Sequence, residues 1–426
     1  MKTLRPYQQR VLNWAEANSK IALFLEMRLG KTLIAIRWAN QLTDKKKLVI
    51  APLYVLSAWE KELAEEKEEY HFITTTTTLP NTERQVQWYL VNYEKVRRNP
   101  KILWKDFRVI ILDESTRIKN PKSQIVKVLD KNSRHIPYRA VLSGCPAPEG
   151  PLDYYQQFHF LSGEFLGCKN YWNFAAKWFR SGLTQWELLP SKTFKKALPL
   201  ELEQKAFTLT RKQVKLGPEK IKEKYDVTLP KQIQEIYKEA LIAYRLGTKS
   251  TEQKIVLMQM LSILTGGFHK EYPHDAKTSL LTSILKTELK DEQVVIWCAF
   301  NAEVEGITVL LRKYFKNAAF VTGEVSLKQR KLLVEQFQKG EFKYLVAQIK
   351  CAKFGLDLSA ADTAIYYSNQ YAMEDRLQSE DRILSTEKKE PLLYVDLVAR
   401  NTVDEHVINL LEKKRLSVEA LMEELG

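Results

Sequence analysis

The feature that most constrains this chain is an alternation of short apolar segments with helical ones, repeated in two separate runs. In the first half the strand-like segments are 21–26, 48–52, 73–77, 88–93, 109–113 and 139–143. In the last third they are 294–300, 318–321, 344–348, 363–367 and 392–398. They are rich in Val and Ile, and residues at helical spacing separate them. A strand that is apolar on both faces must be covered on both. Each run therefore predicts a mostly parallel sheet flanked by helices, an α/β fold. The run Thr74–Thr78 is read as part of a strand, because threonine is β-branched and suits a pleated surface.

Between the two runs, over 150–290, strand signals disappear. Aromatic residues cluster there at Tyr171, Trp172, Phe174, Trp178, Phe179 and Trp186, and read as the core of a helical insertion. Helical spacing runs from Gln232 to Leu264, and Gly266-Gly267 with Pro273 makes a joint before the second run. The expected organisation is an N-terminal lobe over 1–165, a helical insertion and linker over 166–275, and a C-terminal lobe over 276–426. A length of 426 residues suits two or three domains at about 150 residues each.

Composition excludes several classes. With 45% hydrophobic and 28% charged residues the chain is neither disordered nor fibrous. Its longest apolar stretch, from Leu48 to Trp59, is interrupted by Pro52 and falls short of the roughly 20 residues of a membrane span. Met1 to Arg10 is polar, so no secretion signal and a cytoplasmic location are expected. Cys145, Cys168, Cys298 and Cys351 stand singly, which fits a reducing compartment and argues against a zinc site or disulfide framework. The formal charge of +14 suits a polyanionic partner.

The chemistry-bearing signal follows the first strand. Met27-Arg28-Leu29-Gly30-Lys31-Thr32 lies between that strand and a helical run, Leu33 to Leu42. Such a loop aims backbone N–H groups at a phosphate, and the helix N-terminus adds positive partial charge. Lysine there reaches the β- and γ-phosphates, and the threonine hydroxyl completes a Mg²⁺ shell. A second signal is Asp113-Glu114, at the end of the strand Val109–Leu112. Ligands of open parallel sheets sit at the carboxyl ends of strands, which puts this pair beside the lysine loop. The aspartate can hold Mg²⁺ and the glutamate can take a proton from an attacking water.

On these residues and several others, in order, the chain resembles the SNF2-like branch of superfamily 2 helicases and translocases. Leu4-Arg5-Pro6-Tyr7-Gln8 resembles the adenine-reading glutamine motif, and Arg28 to Thr32 resembles motif I, with Arg28 where the family has glycine. Ala51-Pro52 with Trp59 and Glu62 resembles motif Ia, and Asn92-Tyr93-Glu94 resembles motif Ib. Asp113 to Asn120 is similar to motif II and Ser143-Gly144-Cys145-Pro146 to motif III. Thr210-Arg211-Lys212 and Leu229-Pro230 are similar to the stretch leading out of lobe 1. In the last third Val294 to Phe300 resembles motif IV, and Gly355 to Asp362 resembles motif V, with Asp357 in place of asparagine. Gln378, Asp381 and Arg382 fit motif VI, whose second arginine is here Ser385, and Thr402 to Glu405 resembles a segment near the end of the lobe.

The resemblance implies two RecA-like lobes with a helical insertion between them. It implies ATP and Mg²⁺ on Gln8, Arg28, Leu29, Gly30, Lys31, Thr32, Gly355, Asp357 and Arg382. Thr32 and Asp113 would hold the metal, Glu114 the attacking water, and Arg382 the γ-phosphate, a role that Arg376 could share. It also implies a monomer that steps along double-stranded DNA without separating the strands. A strand-separating helicase on DNA or RNA, and a nucleic-acid-binding protein with a decayed ATPase, remain as other readings. Residues 192–224 hold ten Lys or Arg against four Glu, interleaved with Phe194 and Phe207. They read either as a phosphate-tracking face or as a solvated helix face.

Overall fold

The computed structural model describes residues 2–73, 87–98, 104–182, 188–246, 251–315 and 317–424. The chain divides into two units, Met1–Leu216 with Arg415–Gly426, and Gly217–Lys414.

The first unit is built on β1 (Lys20–Leu25), β2 (Lys46–Ala51), β3 (Tyr70–Phe72), β4 (Trp88–Asn92), β5 (Phe107–Asp113) and β6 (Tyr138–Leu142). Two further strands, β7 (Phe179–Ser181) and β8 (Leu188–Pro190), pair antiparallel by themselves. β9 (Ala206–Leu209) completes a seven-stranded sheet in the order β3-β4-β2-β5-β6-β1-β9, parallel throughout. Burial alternates along β1 as the pleat requires. Ala22 and Phe24 pack on one face with Tyr154 and Phe158, whereas Ile21, Leu23 and Leu25 pack on the other with Ile34 and Trp38. Both faces are thus apolar, which is why the strand reads as a continuous hydrophobic run. Of the segment expected at 73–77, Ile73 donates its N–H to the Leu90 carbonyl at 2.9 Å, and Thr74–Thr78 lie outside the described residues.

The second unit carries β10 (Lys220–Val227), β11 (Val294–Cys298), β12 (Ala318–Val321), β13 (Tyr344–Gln348), β14 (Thr363–Tyr366) and β15 (Leu392–Ala399). They form a parallel sheet in the order β10-β15-β14-β11-β13-β12. The absence of strands over 150–290 is corrected here, because β7 to β10 all fall in that stretch. β10 escapes a hydrophobic reading because it pairs on only one side, with β15, and only Val227 of its eight residues is buried. Two helices, Lys231–Leu246 and Thr251–Gly266, follow it.

A polar cluster is buried beyond the ends of β11 and β14. Lys277, with no exposure, donates to the Tyr367 carbonyl at 3.0 Å and pairs with Asp404 at 2.5 Å. Glu303 Oε2 accepts from Ser368 Oγ at 2.5 Å and the Phe300 N–H at 3.2 Å, while its Oε1 is buried without a hydrogen-bond partner. Burial pushes the Glu303 carboxyl from 4.5 to about 7, against the opposing pull of the Ser368 hydrogen bond and the Lys277 charge. Below pH 4.5 the group is protonated whether folded or unfolded. Above that, only the folded chain retains the proton, so this group's contribution to stability falls as pH rises through about 7. The fall is on the order of 3 kcal/mol. Chemical denaturation between pH 4.5 and 8 should show it, and Glu303→Gln, which cannot ionise, should flatten the profile.

Candidate functional site

β1 and β5 flank β6, and all three run in the same direction, so the loops at their carboxyl ends emerge side by side. After β1 the chain turns through two left-handed residues, Arg28 at φ +67° and Gly30 at φ +80°. Glycine adopts that conformation freely, whereas arginine pays on the order of 1–2 kcal/mol for it. Arg28 therefore occupies a place whose backbone favours the glycine that the resembled motif carries. Gly30 is the N-cap of the twelve-residue helix Lys31–Leu42, whose first turn contains no acidic side chain. Its N-terminal N–H groups and dipole suit an anion. Lys31 Nζ donates to the Leu25 carbonyl at 2.7 Å and the Glu26 carbonyl at 3.3 Å, which holds the ammonium group across the loop.

Gln8 braces the same loop. It is buried, its Oε1 accepts from the Arg5 N–H at 2.9 Å, and its Nε2 donates to the Leu29 carbonyl at 3.3 Å. A Cβ on Gly30 would collide with Nε2. Next to Gln8 lies a cleft of about 440 Å³, lined by Pro6, Tyr7, Arg10, Gln213 and Val214. That volume is in the range of small-ligand sites.

Asp113 closes β5 and is buried. Its Oδ2 accepts from Trp59 Nε1 at 2.8 Å, its Oδ1 accepts from the Glu114 N–H at 2.8 Å, and its carbonyl accepts from the Tyr93 hydroxyl at 2.9 Å. Burial pushes this carboxyl above the usual aspartate range, and the Lys31 charge and the Trp59 hydrogen bond pull it back. Glu114 follows at φ +50°, a second strained left-handed position. Between these two loops lies the turn after β6. Ser143 N–H donates to the Leu23 carbonyl at 3.1 Å. A Cβ on Gly144 would lie 3.2 Å from Met27 Cγ and 3.6 Å from Lys31 Nζ. The sequence flagged Trp59 and Tyr93 only as parts of resembled segments. Their signal is chemical, since buried Trp and Tyr seek a partner for the polar tip.

Thr32 and Asp113 supply a hydroxyl and a carboxylate, the hard oxygens that Mg²⁺ prefers. No group of three or more His, Cys, Asp or Glu fit to hold a metal ion occurs among the described residues. The donor set therefore fits an ion shared with phosphates and water, not an all-protein cage.

Gly355, Asp357 and Arg382 belong to the second unit, while Gln8, Arg28 to Thr32, Asp113 and Glu114 belong to the first. Gly355 ends the short turn Ile349–Phe354 at φ +69°. Asp357 is exposed, and its Oδ1 accepts from the Ser359 N–H at 3.3 Å. Arg382 Nε donates to the Gln378 carbonyl at 3.1 Å, just after the helix Met373–Glu380. Arg376, the other candidate for the γ-phosphate role, is engaged within its own unit. It is buried, its Nε pairs with Glu380 at 2.9 Å, and its Nη1 and Nη2 pair with Asp396 at 2.6 and 2.9 Å. Its guanidinium also lies 3.5 Å from the Tyr366 ring centroid. It latches the helix before Arg382 to β15.

Along 192–224 the two aromatics are not offered for base stacking. Phe194 is buried against Phe179, with ring centroids 4.8 Å apart, and Phe207 meets Trp14 edge-on at 5.6 Å. Lys192, Lys195, Lys196, Lys212, Lys215, Lys222 and Lys224 are exposed. Phe174 and Phe179 of the aromatic cluster are core, Trp172 is exposed, and Trp186 lies outside the described residues. No described helix is long and apolar enough to cross a membrane.

The family model for the SNF2-related domain matches residues 7–288, and that for the helicase conserved C-terminal domain matches residues 276–386. The SWI/SNF-related matrix-associated actin-dependent regulator of chromatin subfamily A-like protein 1 of Drosophila melanogaster is 22% identical over 421 residues, covering 97% of this chain and 55% of that protein. An uncharacterized ATP-dependent helicase of Mycoplasma pneumoniae is 23% identical over 456 residues, covering 100% of this chain and 43% of that protein. The chain spans about half the length of the curated relatives it matches. Among solved structures, the Sulfolobus solfataricus SWI2/SNF2 ATPase core in complex with dsDNA is similar at 22% identity and a TM-score of 0.46, covering 100% of this chain and 94% of that chain.

Gly30→Ala should strain the left-handed turn and displace Gln8 together. The expected cost is about 1–3 kcal/mol of stability with loss of nucleotide binding, measured by thermal unfolding with and without ATP. Arg28→Gly at the other left-handed position should relieve backbone strain and raise the melting temperature.

Proposed function

The chain belongs to the SNF2-related family, and we propose that it couples ATP hydrolysis to translocation along double-stranded DNA. The observation that carries this reading is the convergence of Lys31, Asp113 and Glu114 at the carboxyl ends of β1 and β5, with the Ser143–Pro146 turn wedged between them. That constellation suits phosphoryl transfer to water, which is mostly positioning and charge stabilisation. In this reading the cleft beside Gln8 takes the adenine, and the loop Arg28 to Thr32 takes the phosphates. Lys31 neutralises the β- and γ-phosphates, Glu114 accepts the proton of the attacking water, and Trp59 and Tyr93 hold Asp113 still. Thr32 and Asp113 would hold Mg²⁺, which when bound offsets charge on the phosphate oxygens. Gly355, Asp357 and Arg382 are the second unit's contribution to nucleotide handling, with Arg382 on the γ-phosphate. The +14 charge and the exposed lysines along 192–224 support a phosphate-backbone partner.

The test is ATP hydrolysis by the pure protein alone and with duplex DNA, single-stranded DNA or RNA. Duplex DNA should stimulate it most, and Lys31→Ala should abolish it. Arg382→Ala should lower turnover by about 10³-fold or more while nucleotide binding survives. Preference for single strands or RNA would favour a strand-separating helicase. DNA binding without hydrolysis under any condition would mean a decayed motor, with Ser385 in place of the second motif VI arginine as the suspect change.

A further inference from the structure

Glu114 sits at φ +50°, and a non-glycine residue stays there only when its neighbours hold it. On its N-terminal side the hold comes from Tyr93 on the Asp113 carbonyl and Trp59 on the Asp113 carboxylate. On its C-terminal side the hold is Ser115. This residue has no solvent exposure, and its hydroxyl donates to Gln157 Oε1 at 2.6 Å. Gln157, also without exposure, lies in the helix Tyr154–Ser162 among Tyr154, Tyr155, Phe158 and Phe160. Its Nε2 donates to the Pro146 carbonyl at 2.7 Å and the Asp153 carbonyl at 2.9 Å. Burying an amide in such surroundings is unfavourable unless both of its ends are bonded, and here both are. Pro146 belongs to the turn whose Gly144 packs against Met27 and lies next to Lys31. One side chain therefore ties the backbone beside Glu114 to the turn that abuts the lysine loop.

We infer that Gln157 is a positioning residue for ATP hydrolysis, holding Glu114 in register with the lysine loop through Ser115 and Pro146. This rests on the ATPase reading above. Gln157 is not bonded to Gln8 or to Lys31, so its loss leaves nucleotide affinity in place and misaligns the base. A misplacement of about 1 Å costs about 10²-fold in turnover.

The test measures kcat and KM for ATP, ATP affinity by calorimetry and thermal unfolding, on the full chain. The variants are Gln157→Leu, Ser115→Ala, their double mutant and Gln157→Glu. Gln157→Leu and Ser115→Ala should each lower kcat about 10²-fold with ATP affinity within about twofold. The double mutant should be no worse than the worse single, since both break one path. Gln157→Glu keeps the acceptor for Ser115 and donates to a carbonyl only when protonated. Its kcat should approach the parent value at low pH and fall as pH rises, on a limb absent from the parent. Wild-type kcat in Gln157→Leu overturns the inference, as do additive losses in the double mutant or a parallel loss of affinity and stability. If Gln157→Leu does not fold, Ser115→Ala and the pH limb of Gln157→Glu decide the matter. A parent protein that hydrolyses no more ATP than Lys31→Ala refutes the ATPase reading itself, and the inference falls with it.

Discussion

Everything at the candidate site depends on the parallel pairing of β5, β6 and β1. The register sets Asp113 opposite Leu142 and Leu142 opposite Leu23, so three strands end at nearly one level. Their loops carry an acidic pair, a tight turn and a lysine loop. An antiparallel neighbour would send one of these loops to the far edge of the sheet. The apolar alternation on both faces of β1 enforces the parallel arrangement, since only helices on both sides can cover it. Core packing and site geometry are thus one constraint, and the loops add chemistry without altering the frame.

What the sequence made legible follows from the same physics. Strands buried on both faces, such as Val109–Leu112 and Val294–Cys298, announce themselves as apolar runs. The edge strand β10 does not, because Ile221-Lys222-Glu223-Lys224 is exposed and the strand pairs on one side only. β9 is four residues long and follows a helix directly, so it offers too little periodicity to read. At the site, Lys31, Asp113 and Glu114 were legible because they are local to strand ends. The Asp396 partner of Arg376 was not, since it is 20 residues away on a strand and is found only through the fold. Gln157 was hidden for the same reason, 42 residues from Ser115.

Two of the six left-handed non-glycine residues among the described residues lie at the candidate site. Arg28 and Glu114 are both left-handed without being glycine, one in the lysine loop and the other beside the buried carboxylate. Each is held by hydrogen bonds from outside its own loop: Gln8 on Leu29, Tyr93 on Asp113, and Gln157 on Ser115. Loops are ordinarily the least constrained part of an α/β protein. Here buried side chains of the surrounding helices fix them, and a site for phosphoryl transfer requires such pre-organisation because most of its work is positioning.

Two strand–loop–helix units, one in each sheet, make different use of a helix N-terminus. In the first unit, β1 leads into a glycine-capped helix whose first turn has no acidic residue, leaving its N-terminus open to an anion. In the second, β11 leads into the helix Asn301–Phe315, which carries Glu303 in its first turn. That carboxyl accepts the Phe300 N–H and the Ser368 hydroxyl, and it presses so closely on Gly266 that a Cβ there would collide with it. The second helix N-terminus is already satisfied by a side chain of its own, and Lys277 beneath it is engaged by Asp404 and the Tyr367 carbonyl. A phosphate would have to displace Glu303 from a buried, hydrogen-bonded seat. The same strand–loop–helix geometry thus holds an open anion site in one unit and a closed polar core in the other. The difference lies in a glycine with a lysine on one side and a glutamate with a buried serine on the other.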